Sequence, residues 1–330
     1  MFRYPLSWTR VTGLTLLLLP LSLLFRLFVA IRRGLYQTGV LRSVRVSVPV
    51  IVVGNISVGG TGKTPLVLWL VARLREAGYR PGIISRGYGG NSEYPRATQA
   101  DSDATVCGDE PVLMARHSGC AVWVGKDRAA TASALLTANP DCNIIVSDDG
   151  LQHYRLARDF EIAVVDGERG HGNGWMLPAG PLREPASRLG TVDAVVVRGT
   201  AAPLSLASQP CLTMTLQPAG LRNLLDNRHL PVITLQGQSV HAVAGIGNPQ
   251  QFFDTLTQLG ITHAPHPFAD HHFFSAADLQ FDECDAVVMT EKDAVKCERY
   301  ATVKHWALQI EARIDDALVQ QLLDRIKRKR

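Results

Sequence analysis

The spacing of apolar residues divides this chain into stretches of different character. From Val11 to Phe25 they run almost unbroken, with LTLLLLPLSLLF at the centre, and they resume to Ile31 before Arg32-Arg33. A spanning helix needs about 20 such residues, so this stretch is marginal: Pro20 interrupts it and Arg26 has to snorkel. No small-x-small cleavage site follows, and the next segment is basic, which argues against a signal peptide. A buried core helix would carry a polar stripe. The pattern therefore predicts a membrane anchor, spanning or embedded in one leaflet.

From Val50 onward, short β-branched runs alternate with segments of helical period. Strands are expected at 50–53, 81–85, 121–124, 143–147, 160–165 and 192–197, and helices at 66–77, 112–117 and 129–138. Such alternation specifies an α/β fold in which helices cover both faces of a sheet. Residues 201–230 read as an irregular linker. A further strand at 240–247, a helix at 250–259 and a closing helix at 315–326 suggest a second, smaller α/β unit. The expected organisation is an anchor with a basic arm over 1–45, a P-loop NTPase-type three-layer core over 46–200, the linker, and a smaller domain over 231–330.

Composition narrows the classes. With 330 residues, 46% hydrophobic and 19% charged, the chain can bury a sizeable core and is not disordered. Its six cysteines form no C-x-x-C pair, which suits free thiols in the cytoplasm. The net charge of +4 hides seven arginines before residue 46 and five basic residues after 324, leaving an acidic body. Basic ends on an acidic body suit an anionic membrane surface, and nothing suggests a nucleic-acid partner.

The chemistry centres on VIVVGNISVGGTGKTP, residues 50–65. Strand, glycine turn and helix follow one another, so the N–H groups of Ser57, Val58, Gly59, Gly60, Thr61 and Gly62 can wrap a polyphosphate. Lys63 would reach the β- and γ-phosphates of a nucleoside triphosphate, and the Thr64 hydroxyl would bind Mg²⁺. The strict pattern wants glycine at 57, where this chain has Ser57. A second nucleotide motif is the buried run 143–147 ending in Asp148-Asp149, a pair placed to hold Mg²⁺ directly or through water.

Other polar groups fall on loops at strand ends. Ser85, Arg86 and Tyr88 of SRGYGG lie on the face where α/β sheets bind ligands. Arg128, Gln152, His153 and Arg183 are further substrate candidates. Asp109 of GDEP is either first-turn acid of a helix or a general base, and spacing cannot separate the two. His271 in ADHH is a candidate for acid–base work. DAVVMTEKDAVK, residues 285–296, is a polar cluster without an assigned role. A phosphate loop with an acidic strand end admits two functions: a kinase, needing an acceptor hydroxyl and a base, or a membrane-associated ATPase switch of the partitioning or targeting type. Such switches carry a signature lysine where this chain has Val58.

The segments GTGKTP, SRGYGG, GDEP, DDGLQHYRLAR, GNGWMLPAGPLRE, AGIGNP, ADHH and MTEKDAVK together resemble the tetraacyldisaccharide 4'-kinase family of lipid A biosynthesis, over nearly the whole chain. The resemblance implies transfer of the ATP γ-phosphate to the 4'-hydroxyl of a tetraacyldisaccharide 1-phosphate, a glycolipid, at the cytoplasmic face of the inner membrane. It carries the catalytic pair onto Asp109 and His271, with Lys63 in the phosphate loop. Asp148 and Asp149 become the metal-side acids, and Ser57 a family trait. It implies no protein partner.

Overall fold

The computed structural model describes residues 5–199 and 211–329, so positions 201–210 of the expected linker lie outside the described residues. The described strands are β1 (Val50–Gly54), β2 (Pro81–Ser85), β3 (Arg96–Thr98), β4 (Ala121–Val124), β5 (Ile144–Asp148), β6 (Phe160–Asp166), β7 (Ala194–Arg198), β8 (Cys211–Asn223), β9 (His229–Leu230), β10 (Val240–Ala244), β11 (His263–Pro267), β12 (Ala286–Thr290) and β13 (His305–Ile314). They join one sheet in the order β11-β10-β12-β13-β8-β7-β6-β1-β5-β2-β4-β3, with β9 beside β8. Most neighbours are parallel; the β8–β13, β3–β4 and β8–β9 pairs are antiparallel.

The helices are α1 (Leu6–Thr9), α2 (Gly13–Gln37), α3 (Lys63–Glu76), α4 (Ala104–Cys107), α5 (Asp109–Ser118), α6 (Arg128–Ala138), α7 (Pro249–Gln258), α8 (Glu291–Cys297) and α9 (Ala317–Lys329). Strand β1 sits between β5 and β6, parallel to both. All five of its residues are buried because helices cover both faces, so its sequence is continuously apolar rather than alternating. On one face α3, α5 and α9 pack with Ile51, Val53, Ile162 and Val164. On the other, α6 packs with Val50, Val52, Ala163 and Val165. This is the expected three-layer α/β core, extended by a second α/β unit through a shared sheet.

The extension runs through a segment read from the sequence as linker. Residues 211–223 form β8, which pairs in parallel with β7 and antiparallel with β13. Pro218 and Gly220 fall where the β13 register shifts, between Gln309 and Ile310, which is where a strand tolerates them.

Helix α2 is longer than the apolar run, at 25 residues, and retains Pro20 inside it. Phe25 and Val29 pack against the α6-side core. The Ser22 hydroxyl donates to the Met176 carbonyl at 2.8 Å. The opposite face exposes Leu17 (74%), Leu24 (62%) and Phe28 (62%), alongside further leucines.

Burial sets contrasting expectations for two leucines. Leu70→Ala, in the fully buried stripe of α3, should lower unfolding free energy by about 2–5 kcal/mol in urea denaturation. Leu17→Ser should change it by less than about 0.5 kcal/mol. Equal losses would contradict the packing.

Candidate active site

The phosphate loop joins β1 to α3. Gly59 and Gly62 have φ of 99° and 84°, backbone that L side chains rarely adopt, and Gly62 hands the chain to Lys63, the first residue of α3. The loop is braced by the segment 170–185. The Val58 N–H donates to the Pro181 carbonyl at 2.9 Å, Ser57 bridges to Leu182, and Arg169 donates to the Gly60 carbonyl. Asn55 touches the Gly59 carbonyl and, at 3.3 Å, Lys63 Nζ. Thr61 is buried, and Thr64 lies in the first turn of α3.

Beside the loop, β5 ends in Asp148, and Asp149 follows in the left-handed region at φ 48°. The two carboxylates are used differently. Asp149 accepts Lys63 Nζ at 3.3 Å and Arg183 Nη1 at 3.2 Å. Burial raises its pKa, but the charges of Lys63 and Arg183 prevail and hold it well below the usual carboxylate range. Arg183, one of the substrate candidates, is thereby placed on Asp149. Asp148 is fully buried, and its Oδ2 accepts the Ser85 hydroxyl at 3.1 Å. Its Oδ1 has no hydrogen-bond partner among the described residues. Burial, helped by Glu110 and Asp149 and opposed by Lys63 and Arg128, pushes its pKa up. An orphaned hard oxygen within the field of Lys63 at the start of α3 fits Mg²⁺, which favours oxygen donors shared with phosphate.

Three of the substrate candidates brace this corner. Arg128 is buried and donates to the carbonyls of Gly125 and Asp148. Desolvation outweighs the attraction of Asp148 and Asp149, lowering its pKa to about 10. Gln152 donates to the Asn55 carbonyl and accepts from Arg32 of α2 through its own carbonyl. His153 is held neutral: burial, then Arg128 and Arg86, lower its pKa to about 4.

The second cluster is built from distant sequence. Gly108, at φ 88°, precedes α5, and a Cβ there would meet the Tyr88 carbonyl at 2.6 Å, so the glycine loop and GDEP are pressed together. Asp109 opens α5 and is buried. Its Oδ2 lies 3.0 Å from His271 Nδ1, across 162 residues of sequence. Desolvation raises the Asp109 pKa, but the imidazole hydrogen bond and the charges of Lys292, His271 and Lys296 overcome it, so the carboxylate stays ionised. The exposed Tyr88 ring lies 5.1 Å from the His271 ring. Arg86 is exposed on the same loop.

Sequence reasoning brought Asp109 and His271 to one site but left out the residues around them. Glu110 acts on Asp148 electrostatically and pairs with Lys292 Nζ at 3.3 Å, linking the two clusters. The signal was present in GDEP and TEKDAVK as charges facing no obvious partner.

The family model described as tetraacyldisaccharide-1-P 4'-kinase matches residues 14–327. The chain is 51% identical over 326 residues to the tetraacyldisaccharide 4'-kinase of Azoarcus sp. strain BH72, covering 98% of this chain and 95% of that protein. It is 50% identical to that of Methylobacillus flagellatus, with the same coverage. Its fold matches crystalline LpxK from Aquifex aeolicus in complex with ATP at a TM-score of 0.82 and 31% identity, over 95% of this chain and 99% of that one. With a nucleotide loop, an acidic strand end and a carboxylate–imidazole pair gathered at the carboxyl ends of β1, β5 and β10, the chain belongs to the tetraacyldisaccharide 4'-kinase family.

Proposed function

We propose that this kinase transfers the γ-phosphoryl group of ATP to the 4'-hydroxyl of a tetraacyldisaccharide 1-phosphate, a step of lipid A biosynthesis, with His271 taking the hydroxyl proton. The observation that carries this is the Asp109–His271 pair at 3.0 Å. An ATPase that only hydrolyses needs no such pair facing an acceptor. A carboxylate can only accept, so Asp109 fixes the proton on Nδ1 and leaves the Nε2 lone pair for the acceptor. As His271 takes that proton, the neighbouring carboxylate stabilises the imidazolium that forms.

The loop N–H groups and Lys63 bind and orient the triphosphate, and Asp149 with Asn55 holds the Lys63 ammonium in place. Thr64 and Asp148 would hold Mg²⁺, which neutralises phosphate charge as the phosphoryl group moves. Ser85 and the Gly125–Arg128 turn keep Asp148 pointed at the loop. Tyr88, Arg86 and the glycine loop around them are the surface on which the disaccharide would rest.

The membrane side follows from α2. Trp8 donates to the Pro178 carbonyl, Ser22 to Met176, Arg32 to Gln152 and Arg33 to Thr191, so the body grips this segment from one end to the other. A helix crossing a bilayer would have to break those contacts. The supported arrangement is a helix lying in one leaflet of the inner membrane, its leucine face in lipid and the body on the cytoplasmic side.

Two measurements test this reading. With γ-labelled ATP and the disaccharide lipid, label should appear on the lipid, and Asp109→Asn or His271→Ala should cut turnover by about two to four orders of magnitude. Label released only as free phosphate would favour the ATPase switch. Leu17→Asp with Leu24→Asp should release the protein from anionic vesicles without weakening ATP binding, whereas retention on vesicles would contradict the in-plane helix.

A further inference from the structure

Helix α8 points its first turn at the imidazole that accepts the proton. Thr290 caps this helix reciprocally: its hydroxyl accepts the Asp293 N–H at 3.2 Å and donates to the Asp293 carboxylate at 2.7 Å. That carboxylate, fully buried, also accepts the Gly245 N–H at 2.9 Å and Lys296 Nζ at 2.9 Å. The start of α8 is thus fixed to the end of β10, and Lys292 is carried to a defined place.

Its ammonium arrives beside the catalytic pair. Lys292 Nζ lies 3.3 Å from His271 Nε2, 3.3 Å from Glu110 Oε1 and 3.5 Å from Asp270 Oδ1. Burial disfavours the charged lysine, but Glu110, Asp109, Asp270 and Asp293 outweigh it and keep it protonated. The chemistry then leaves one assignment. An ammonium can only donate, so His271 Nε2 must accept; a carboxylate can only accept, so His271 Nδ1 must donate to Asp109. Both partners demand the same neutral tautomer.

We propose that Lys292 is a positioning residue acting through His271: its ammonium caps the Nε2 lone pair, holds the imidazole in one tautomer and aimed into the cleft, and yields that place to the acceptor hydroxyl. The inference rests on His271 being the proton acceptor. When the hydroxyl donates to Nε2, the ammonium keeps two partners, Glu110 and Asp270, and need not be left bare. A proton from solvent, by contrast, has to be added next to a fixed positive charge. The charged or polar groups around the ring are Asp109 on α5, the Tyr88 phenol on the glycine loop, Asp270 on its own loop and Lys292 on α8. Lys296 reaches Asp109 at 3.9 Å and Glu110 reaches Lys292, so each acts one contact away. Among the described residues, Lys292 is the one cation that touches the ring.

Removing the lysine charge makes the ring easier to protonate, so the base is lost at a higher pH. In Lys292→Met, the acidic limb of the pH profile of kcat/KM for the lipid should move up by about one unit. At pH 7 kcat/KM for the lipid should fall by about 2- to 10-fold, with KM for ATP and the unfolding temperature near those of the wild type. Lys292→Arg should keep the limb in place, and Lys292→Gln should repeat the shift if the methionine variant folds poorly. A limb that stays put in both charge-removing variants, or a loss confined to KM for ATP or to unfolding temperature, would overturn the assignment. His271→Ala separates the two levels. Near wild-type turnover in that variant removes the proton-acceptor reading and this inference with it, whereas an inactive His271→Ala beside an unmoved limb removes the Lys292 role alone.

Discussion

The hydrogen bond between Asp109 and His271 is the contact on which the rest of this site depends. One partner opens α5 in the first half of the chain, and the other sits in the left-handed region, at φ 57°, after β11 in the second. Neither half holds the pair alone. The sheet brings them together because β8 and β13 join the two halves edge to edge, and the facing helices α5 and α8 carry opposite charges. Arg116 forks onto Glu298, His117 meets Glu291 at 3.1 Å, and Glu110 meets Lys292. These contacts fix orientation more than they add stability, since partly exposed polar pairs contribute about 0–1 kcal/mol each.

The same economy links the nucleotide loop to α2. Segment 170–185 touches the loop through Pro181 and Leu182, and touches the N-terminal helices through Asn173, Met176 and Pro178. Its glycines and prolines suit an irregular path: a Cβ at Gly172 would meet the Trp8 carbonyl. A substrate that is half lipid and half sugar requires the leucine face and the phosphate loop to keep a fixed relation, and this segment is what sets it.

Much of this was legible in the chain. The strands of the first half follow local β-branched runs, and residues 81–85 and 121–124 fall where the pattern put them. Helix ends were less legible: α3 starts at Lys63 and not Leu66, because the left-handed turn ends at Gly62 and Pro65 is tolerated in the first turn of a helix. Strand β8 was hidden by Pro218 and Gly220, although Leu212, Met214 and Leu216 alternate with polar threonines as a strand should. Within the site, residue types announced phosphate, metal and base chemistry, but pairing is a long-range property. Nothing local could show that Asp149 is held by Lys63 and Arg183 while Asp148 keeps an oxygen free, or that the lysine of TEKDAVK meets an imidazole 21 residues earlier.

If Asp109 and His271 work as one unit across the sheet, removing both must cost little more than removing one. The direct measurement is lipid phosphorylation by Asp109→Asn, His271→Ala and the double variant under saturating ATP. The double variant should turn over within about threefold of the slower single variant. Losses that multiply would mean that the two residues act independently, and would contradict a shared proton-accepting pair.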